Sequence, residues 1–324
     1  MDNVLAKIQD LIGHELSELE QLIHQNTCSA STIANDVCKH LMSGSGKRIR
    51  PTILILSALA TSHNPDKDKM HLDLACIIEF IHNASLLHDD VIDQASERHH
   101  KNTARKIWGN KASILTGDYL HACAFQMIAS LESPLVMNVL SNAVRNVVEG
   151  ELDQLKFIRN PKVSKTQYLN IISAKTARLF SVSTKLGSMI SNNHTPYTEA
   201  LEAYGHHLGM VFQIIDDSLD YQLLKTGKKP GQDLASGTIT LPFILAYENS
   251  SPQQQQVLES LIQQPESKLE DAMSIIEKTH AITKSFDEAK AAASLAQESL
   301  YLIPDSPYRQ ALYELLTFSL ERTH

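Results

Sequence analysis

Two short acidic motifs carry the densest chemistry in the chain. LLHDDVID, residues 86–93, closes an apolar run with Asp89, Asp90 and Asp93. FQIIDDSLD, residues 212–220, repeats the D-D-x-x-D spacing with Asp216, Asp217 and Asp220. Like charges one helical turn apart repel, so such crowding calls for a positive partner. Residues i and i+4 share a helix face, which aims Asp89 with Asp93 and Asp216 with Asp220. Two such pairs facing across a cavity form an all-oxygen donor set. Mg²⁺ suits it, because this ion takes one or two carboxylates and fills its other positions with water and substrate phosphate. One motif alone would read as a solvated helix end. Two copies, each behind an apolar helix and ahead of a basic stretch, do not. The spacing also differs from the calcium-loop pattern.

Cations lie close by in sequence. QASERHHKNTARKIWGNK (94–111) and LLKTGKKPGQDLASGT (223–238) follow the two motifs, and GSGKRIRP (44–51) precedes them. The last is not a nucleotide P-loop, which would need glycine at position 41 and Ser or Thr at 48, where the chain has Leu41 and Arg48. Lys47, Arg48 and Arg50, just before Pro51 at a helix start, still make an anion site. Acid beside base in this pattern points to carboxylate–Mg²⁺–diphosphate bridging, with Lys and Arg on the outer oxygens. Gly205 and Gly209, one turn apart, mark a close approach by a neighbouring helix or by a ligand.

The elements that must position these groups are helical. Leu74, Ile77, Ile78, Ile81, Ala84 and Ser85 recur at steps of three and four and run into Asp89. Further helical patterns cover 112–130, 134–158, 166–191 and 197–222, and shorter amphipathic ones follow from 253. Residues 62–68, 94–111 and 223–238 read as loops, and no hairpin signature or βα alternation occurs. With 12 Gly and 11 Pro in 324 residues, breakers are too few for a loop-rich β protein. The expectation is one all-α domain spanning 1–324.

The remaining features exclude classes. A net charge of −8 gives no basic surplus for general nucleic-acid binding. Cys28, Cys38, Cys76 and Cys123 form no C-x-x-C, so buried free thiols are expected rather than a zinc or disulfide framework. The amino terminus reads as an amphipathic helix without the features of a signal or transit peptide. The longest apolar-rich run, 53–60, is far shorter than a membrane span. A soluble, cytoplasmic protein is expected, with peripheral membrane contact left open.

In order, the chain presents GKRIRP, EFIHNASLLHDDVID, Gly117-Asp118, AKTARLF (174–180), GMVFQIIDDSLDY and GK…TLP. This set resembles the trans-isoprenyl diphosphate synthases, or polyprenyl synthetases, and most of all the long-chain bacterial octaprenyl type. The resemblance implies long antiparallel helices around a deep cavity, usually in a homodimer. It implies Mg²⁺ held by Asp89, Asp90, Asp93, Asp216, Asp217 and Asp220. Arg98, Lys175 and Lys228 would contact the allylic diphosphate, and farnesyl diphosphate is the expected primer. Thr176 and Gln213, with Lys175, would serve the reacting carbon. Lys47, Arg50 and His82 would bind isopentenyl diphosphate, with His99 standing where the family has a second arginine. Two more departures are Gln232 in the usual G-D-D and Thr238 in place of a lysine. They leave a regulatory, non-catalytic subunit of a heteromeric synthase as the alternative. A terpene cyclase would have no use for GKRIRP or the second full motif.

Product length should follow from the helix behind Asp89. One helical turn rises about 5.4 Å, roughly an isoprene unit. Ile81, Ala84 and Ser85 leave the space above Ile77 and Ile78 open, so a long product, of octaprenyl size for a quinone side chain, is expected. Cys123, Met127, Ile128 and Leu140 are candidates for the floor.

Overall fold

The computed structural model describes residues 2–43, 47–98, 101–191, 195–222, 232–263 and 269–322. It is all-α. The helices are α1 (Asp2–Asn26), α2 (Thr32–Ser43), α3 (Ile49–Ala60), α4 (Met70–Ile92), α5 (Ala104–Ser130), α6 (Pro134–Leu155), α7 (Lys165–Ile172), α8 (Arg178–Ile190), α9 (Thr195–Leu219), α10 (Gln232–Ser236), α11 (Leu241–Glu248), α12 (Pro252–Gln263), α13 (Leu269–Lys278), α14 (Ala281–Leu300) and α15 (Pro307–Glu321).

Apolar patterning decides which helices lie inside. Every residue of α3 from Pro51 to Ala60 is buried, as expected of a helix that is hydrophobic all round. It packs against α8 on one side and α4 and α15 on others. Helix α4 is long and apolar enough to cross a membrane, but 72% of its most apolar window is buried inside the protein, so it serves as a core helix. Helix α8 packs on both α4 and α9, while α14 covers the other side of α9. The two helices that end in aspartate motifs are therefore both set against α8.

Four expectations need correction. The loop after the first motif is shorter than 94–111, because α5 already begins at Ala104. Gly109, at φ 83°, bends that helix internally, which hides the early turns from a periodicity read from 112 onward. The same segment contains a two-residue antiparallel pairing of Glu97–Arg98 with Lys101–Asn102, without an Asn-Gly type turn signal to announce it. Within 223–238, residues 232–236 form the short helix α10. Cys38, Cys76 and Cys123 are buried free thiols as expected, but Cys28 is exposed.

Candidate active site

Most of α4 is buried, yet His82, Ser85, Leu86 and Asp89 are each partly exposed. Their spacing of three, four and seven places them on one stripe. Deeper on α4, Ile77 and Ile78 are fully buried, and Ile81 nearly so. Ala84 is also fully buried, turned toward α5, where its carbonyl lies close to Gly117. Ser85 lies on the stripe and donates its hydroxyl hydrogen to Ile81 O at 3.1 Å. Of the floor candidates, Cys123, Ile128 and Leu140 are buried and Met127 is partly so.

In each motif the middle aspartate is turned inward. Asp90 is 2% exposed and accepts from Arg98 Nε and Nη2, both at 3.0 Å. Asp217 accepts from Tyr168 Oη at 2.5 Å and Gln213 Nε2 at 2.6 Å. The outer members are the more accessible ones: Asp89 and Asp220 are half-buried, and Asp93 and Asp216 are exposed. That is the i, i+4 grouping the sequence predicts. Both motifs also sit at helix carboxyl ends, with Asp93 capping α4 and Asp220 just past α9. The helix dipole is negative there and disfavours carboxylates. A cation at either place is favoured twice.

Lys175 lies on a π-helical turn, Ser173–Ala177, that interrupts the helical run from α7 to α8. Such widened turns are rare and frequent at functional sites. Lys175 Nζ donates to Glu151 at 2.8 Å and Gln154 Oε1 at 3.0 Å. Although burial opposes it, the charges of Asp89 and Glu151 hold the Lys175 ammonium above its ordinary pKa. Next along the turn, Thr176 Oγ1 donates to Gln213 Oε1 at 2.8 Å. Hence Tyr168, Asp217, Gln213 and Thr176 form one connected network. Gly209 brings α9 against this turn: a Cβ there would lie 2.5 Å from Ala177 Cα. At Gly205 it would lie 2.6 Å from Phe180 O. The close neighbour is therefore a helix, which settles the alternative left open by the sequence.

Burial and mutual repulsion raise the carboxyls around the second motif. Burial pushes the Asp217 carboxyl up to about 7 despite its two donors, with Asp216 and Asp220 adding to the rise. Asp233, whose backbone N donates to Asp220 Oδ2 at 3.0 Å, is pushed far above the carboxylate range. Burial is the largest cause, followed by Asp217, Asp220 and Asp216, and then by Asp93 of the first motif. The two motifs thus share one electrostatic field. Asp89 and Glu151 are raised as well, first by burial and then by nearby carboxylates against the pull of Lys175. An all-oxygen set under this strain fits a hard divalent cation.

A separate cationic site stands beside the carboxylates. Arg50 Nη1 donates to His82 Nε2 at 2.9 Å, and its guanidinium lies 4.5 Å from the Phe180 ring centre. Phe180 neighbours Phe212, and Arg322 lies 4.3 Å over Phe212. Lys47 Nζ lies 4.9 Å over Phe318, and both burial and the charge of Arg322 lower its pKa. Burial and then Arg50 hold the His82 ring neutral, far below its ordinary pKa. Among the described residues, the Nε atoms of Arg50 and Arg322 are buried without a hydrogen-bond partner. Cations stacked on aromatic faces with orphaned donors make a site for an anion. Arg48 does not join them, since Glu20 at 2.8 Å and Glu79 at 2.5 Å engage it.

Lys228 and His99 lie outside the described residues, as does the Gln232 side chain. Thr238 lies beside α10, its Oγ1 3.1 Å from Ser236 Oγ. Four contributors escaped the sequence reading. Tyr168, Glu151 and Gln154 look like ordinary polar helix positions. Arg322, which also donates to Asp216 Oδ1 at 2.7 Å, is a single basic residue after the last amphipathic helix.

Comparison with known proteins agrees with this geometry. The family model "Polyprenyl synthetase" matches residues 31–279. The octaprenyl diphosphate synthase of Escherichia coli (strain K12) is 35% identical over 322 residues, covering 98% of this chain and 99% of that protein. The geranyl-diphosphate-specific all-trans-nonaprenyl-diphosphate synthase of Rhodobacter capsulatus is 34% identical over 314 residues, with 96% of each covered. A polyprenyl synthase from Caulobacter crescentus, solved with calcium and isoprenyl diphosphate, superposes with a TM-score of 0.93 at 33% identity over 99% and 98% of the two chains. Matched along nearly its full length in sequence and in fold, this chain belongs to the polyprenyl synthetase family.

Proposed function

We propose that the protein is a long-chain trans-polyprenyl diphosphate synthase, which condenses isopentenyl diphosphate head-to-tail onto an allylic diphosphate primer, farnesyl diphosphate, to give an octaprenyl-type product. The observation that carries this reading is the pairing of two unlike anion sites. One is a carboxylate field that needs divalent ions. The other is the Lys47, Arg50, His82 and Arg322 cluster, which needs an anion directly. A reaction joining two diphosphate esters requires both.

In this reading Asp89, Asp93, Asp216 and Asp220 present oxygens to Mg²⁺, while Asp90 and Asp217 are held in reserve by Arg98 and by Tyr168 with Gln213. When bound, Mg²⁺ would neutralise charge on the allylic diphosphate and make it a better leaving group. Lys175 and Arg98 meet the outer oxygens of that group, and Lys228 is proposed to join them. As the allylic C–O bond breaks, the Thr176 and Gln213 oxygens face the carbon that becomes positive and stabilise it electrostatically. Lys47, Arg50 and His82 hold isopentenyl diphosphate, with His99 near them, so that its double bond attacks that carbon. A C–H bond then gives up its proton to the released diphosphate, and a new double bond forms. The buried apolar lining of α4 excludes water, which would otherwise trap the cation as an alcohol.

The growing chain runs along the stripe past Ser85, with Ala84 and Ile81 setting its clearance. We further infer a homodimer in the cytoplasm, built from one domain per chain. Ile114, Leu115 and Phe125 on α5 and Leu135, Val148 and Leu152 on α6 are all exposed. Exposed apolar side chains on two consecutive helices fit a surface that meets another copy. Incubation with farnesyl diphosphate, labelled isopentenyl diphosphate and Mg²⁺, with products sized by mass spectrometry, tests the proposal. All-trans products of about eight units are expected from the purified chain alone. Absence of any condensation would overturn the reading in favour of the regulatory subunit.

A further inference from the structure

His88 precedes the first aspartate motif but takes no part in the chemistry above. Its ring leaves α4 toward α5, where Asp118 and His121 lie one turn apart on a common face. One ligand atom from each of the three residues falls within a 4.8 Å span. His88 Nε2 lies 3.4 Å from Asp118 Oδ1, and the two imidazole rings are 5.7 Å apart between centres. Gly117 makes room for this arrangement, because a Cβ there would lie 2.7 Å from His88 Cδ2. Without an ion, Nε2 carries its proton toward Ile114 O at 3.2 Å, and an ion bound at Nε2 would replace that contact.

We propose that His88, Asp118 and His121 form a second metal site, for a borderline divalent ion such as Zn²⁺, distinct from the Mg²⁺ carboxylates. Two imidazoles with one carboxylate are a donor set such ions prefer, whereas Mg²⁺ favours oxygen alone. Ligands on a tetrahedral Zn²⁺ at about 2.0–2.1 Å stand about 3.3 Å from one another, and the His88–Asp118 spacing already meets that distance. Asp118 is 62% exposed at its side chain, so it can turn to complete the set and leaves an open side for water. The bound ion bridges α4 and α5 one residue before Asp89. Its role is structural: it pins the end of the helix that presents the first motif.

The inference is independent of the proposed reaction. Chelator-treated full-length protein is titrated with Co²⁺ and Zn²⁺ in excess Mg²⁺, following visible absorption and thermal unfolding. Wild type is compared with His121→Ala, Asp118→Asn and Asp89→Asn, all first checked for helical content by circular dichroism. One ion per chain is expected in wild type, with Co²⁺ bands of a nitrogen-containing site. Affinity falls at least tenfold in His121→Ala and Asp118→Asn and is retained in Asp89→Asn, and the Zn²⁺-induced rise in Tm follows the same order. Unchanged binding in both His121→Ala and Asp118→Asn, or loss of the ion in Asp89→Asn alone, would overturn the site. Should His121→Ala fail to fold, the exposed Asp118→Asn position decides the question.

Discussion

The two aspartate motifs share a spacing but not an environment. The first has cations at hand: Arg98 is bonded to Asp90, and Lys175 pulls down the pKa of Asp89. In the second, Asp217 is held by neutral donors, Asp233 adds a further carboxyl whose pKa is raised, and Arg322 engages Asp216 at its edge. Identical motifs are thus held by different means, ion pairing in one and neutral donors in the other. The first is partly neutralised by the chain itself. The second is held among the described residues by a buried hydrogen-bond network around Asp217 and by Arg322 at its edge.

Removing a carboxylate from the open pair of either motif should have the largest effect. Asp89→Asn and Asp216→Asn are each expected to lower kcat by about 10³-fold, the scale of losing a charge-stabilising group. Incorporation of labelled isopentenyl diphosphate checks this, and a loss in only one variant would break the symmetry of roles. Next comes Tyr168→Phe, which deletes one donor to Asp217 and keeps the ring. Supporting hydrogen bonds of metal ligands are worth about 10- to 100-fold. Activity should fall by about tenfold, with a higher Mg²⁺ requirement in a metal titration. The equivalent change on the first side, Arg98→Gln, should instead raise the KM for the allylic primer, because Arg98 is expected to touch substrate.

Chain length sharpens the comparison in another direction. Ser85 lies on the open stripe one turn before Asp89, so Ser85→Phe should close the path and shorten the product to about three or four units. Ala84→Tyr should also shorten it, although that side chain must first displace contacts with α5. Chromatographic sizing that returned full-length product from both variants would remove the stripe from the account.

The smallest effect concerns pH. Asp217 has a raised pKa, so the native state holds a proton that the unfolded chain releases. Stability of the metal-free protein should therefore fall as pH rises between about 4 and 7. A drop in Tm of about 3 °C from pH 5.5 to 7.5 is expected. Mg²⁺ should recover more of it at pH 7.5, and Asp217→Asn should flatten the slope. A Tm that rises with pH across this window would mean the carboxylates are already neutralised within the fold.

Much of this architecture is legible in the chain because local pattern and global packing agree. The apolar spacing from Leu74 to Ser85 predicts both the helix and the direction of Asp89, and the i, i+4 rule separates the outer aspartates from Asp90 and Asp217. What escapes depends on distant partners. Nothing local tells that Tyr168 meets Asp217 across 49 residues, or that Arg322 returns to Asp216 across 106. The π turn at Lys175 has no simple periodic signature, and Gly109 disguises the start of α5. Arg48 reads as part of a basic cluster, yet Glu20 and Glu79 claim it.

The central claim is that both motifs share divalent ions with one allylic diphosphate. Mn²⁺ binding, followed by electron paramagnetic resonance with an unreactive thio analogue of farnesyl diphosphate, tests it most directly. In wild type the analogue should sharply increase bound Mn²⁺, and Asp89→Asn and Asp216→Asn should each abolish most of that increase. An increase that survives unchanged in either variant would contradict the claim, because ions and diphosphate would then be held by one motif alone.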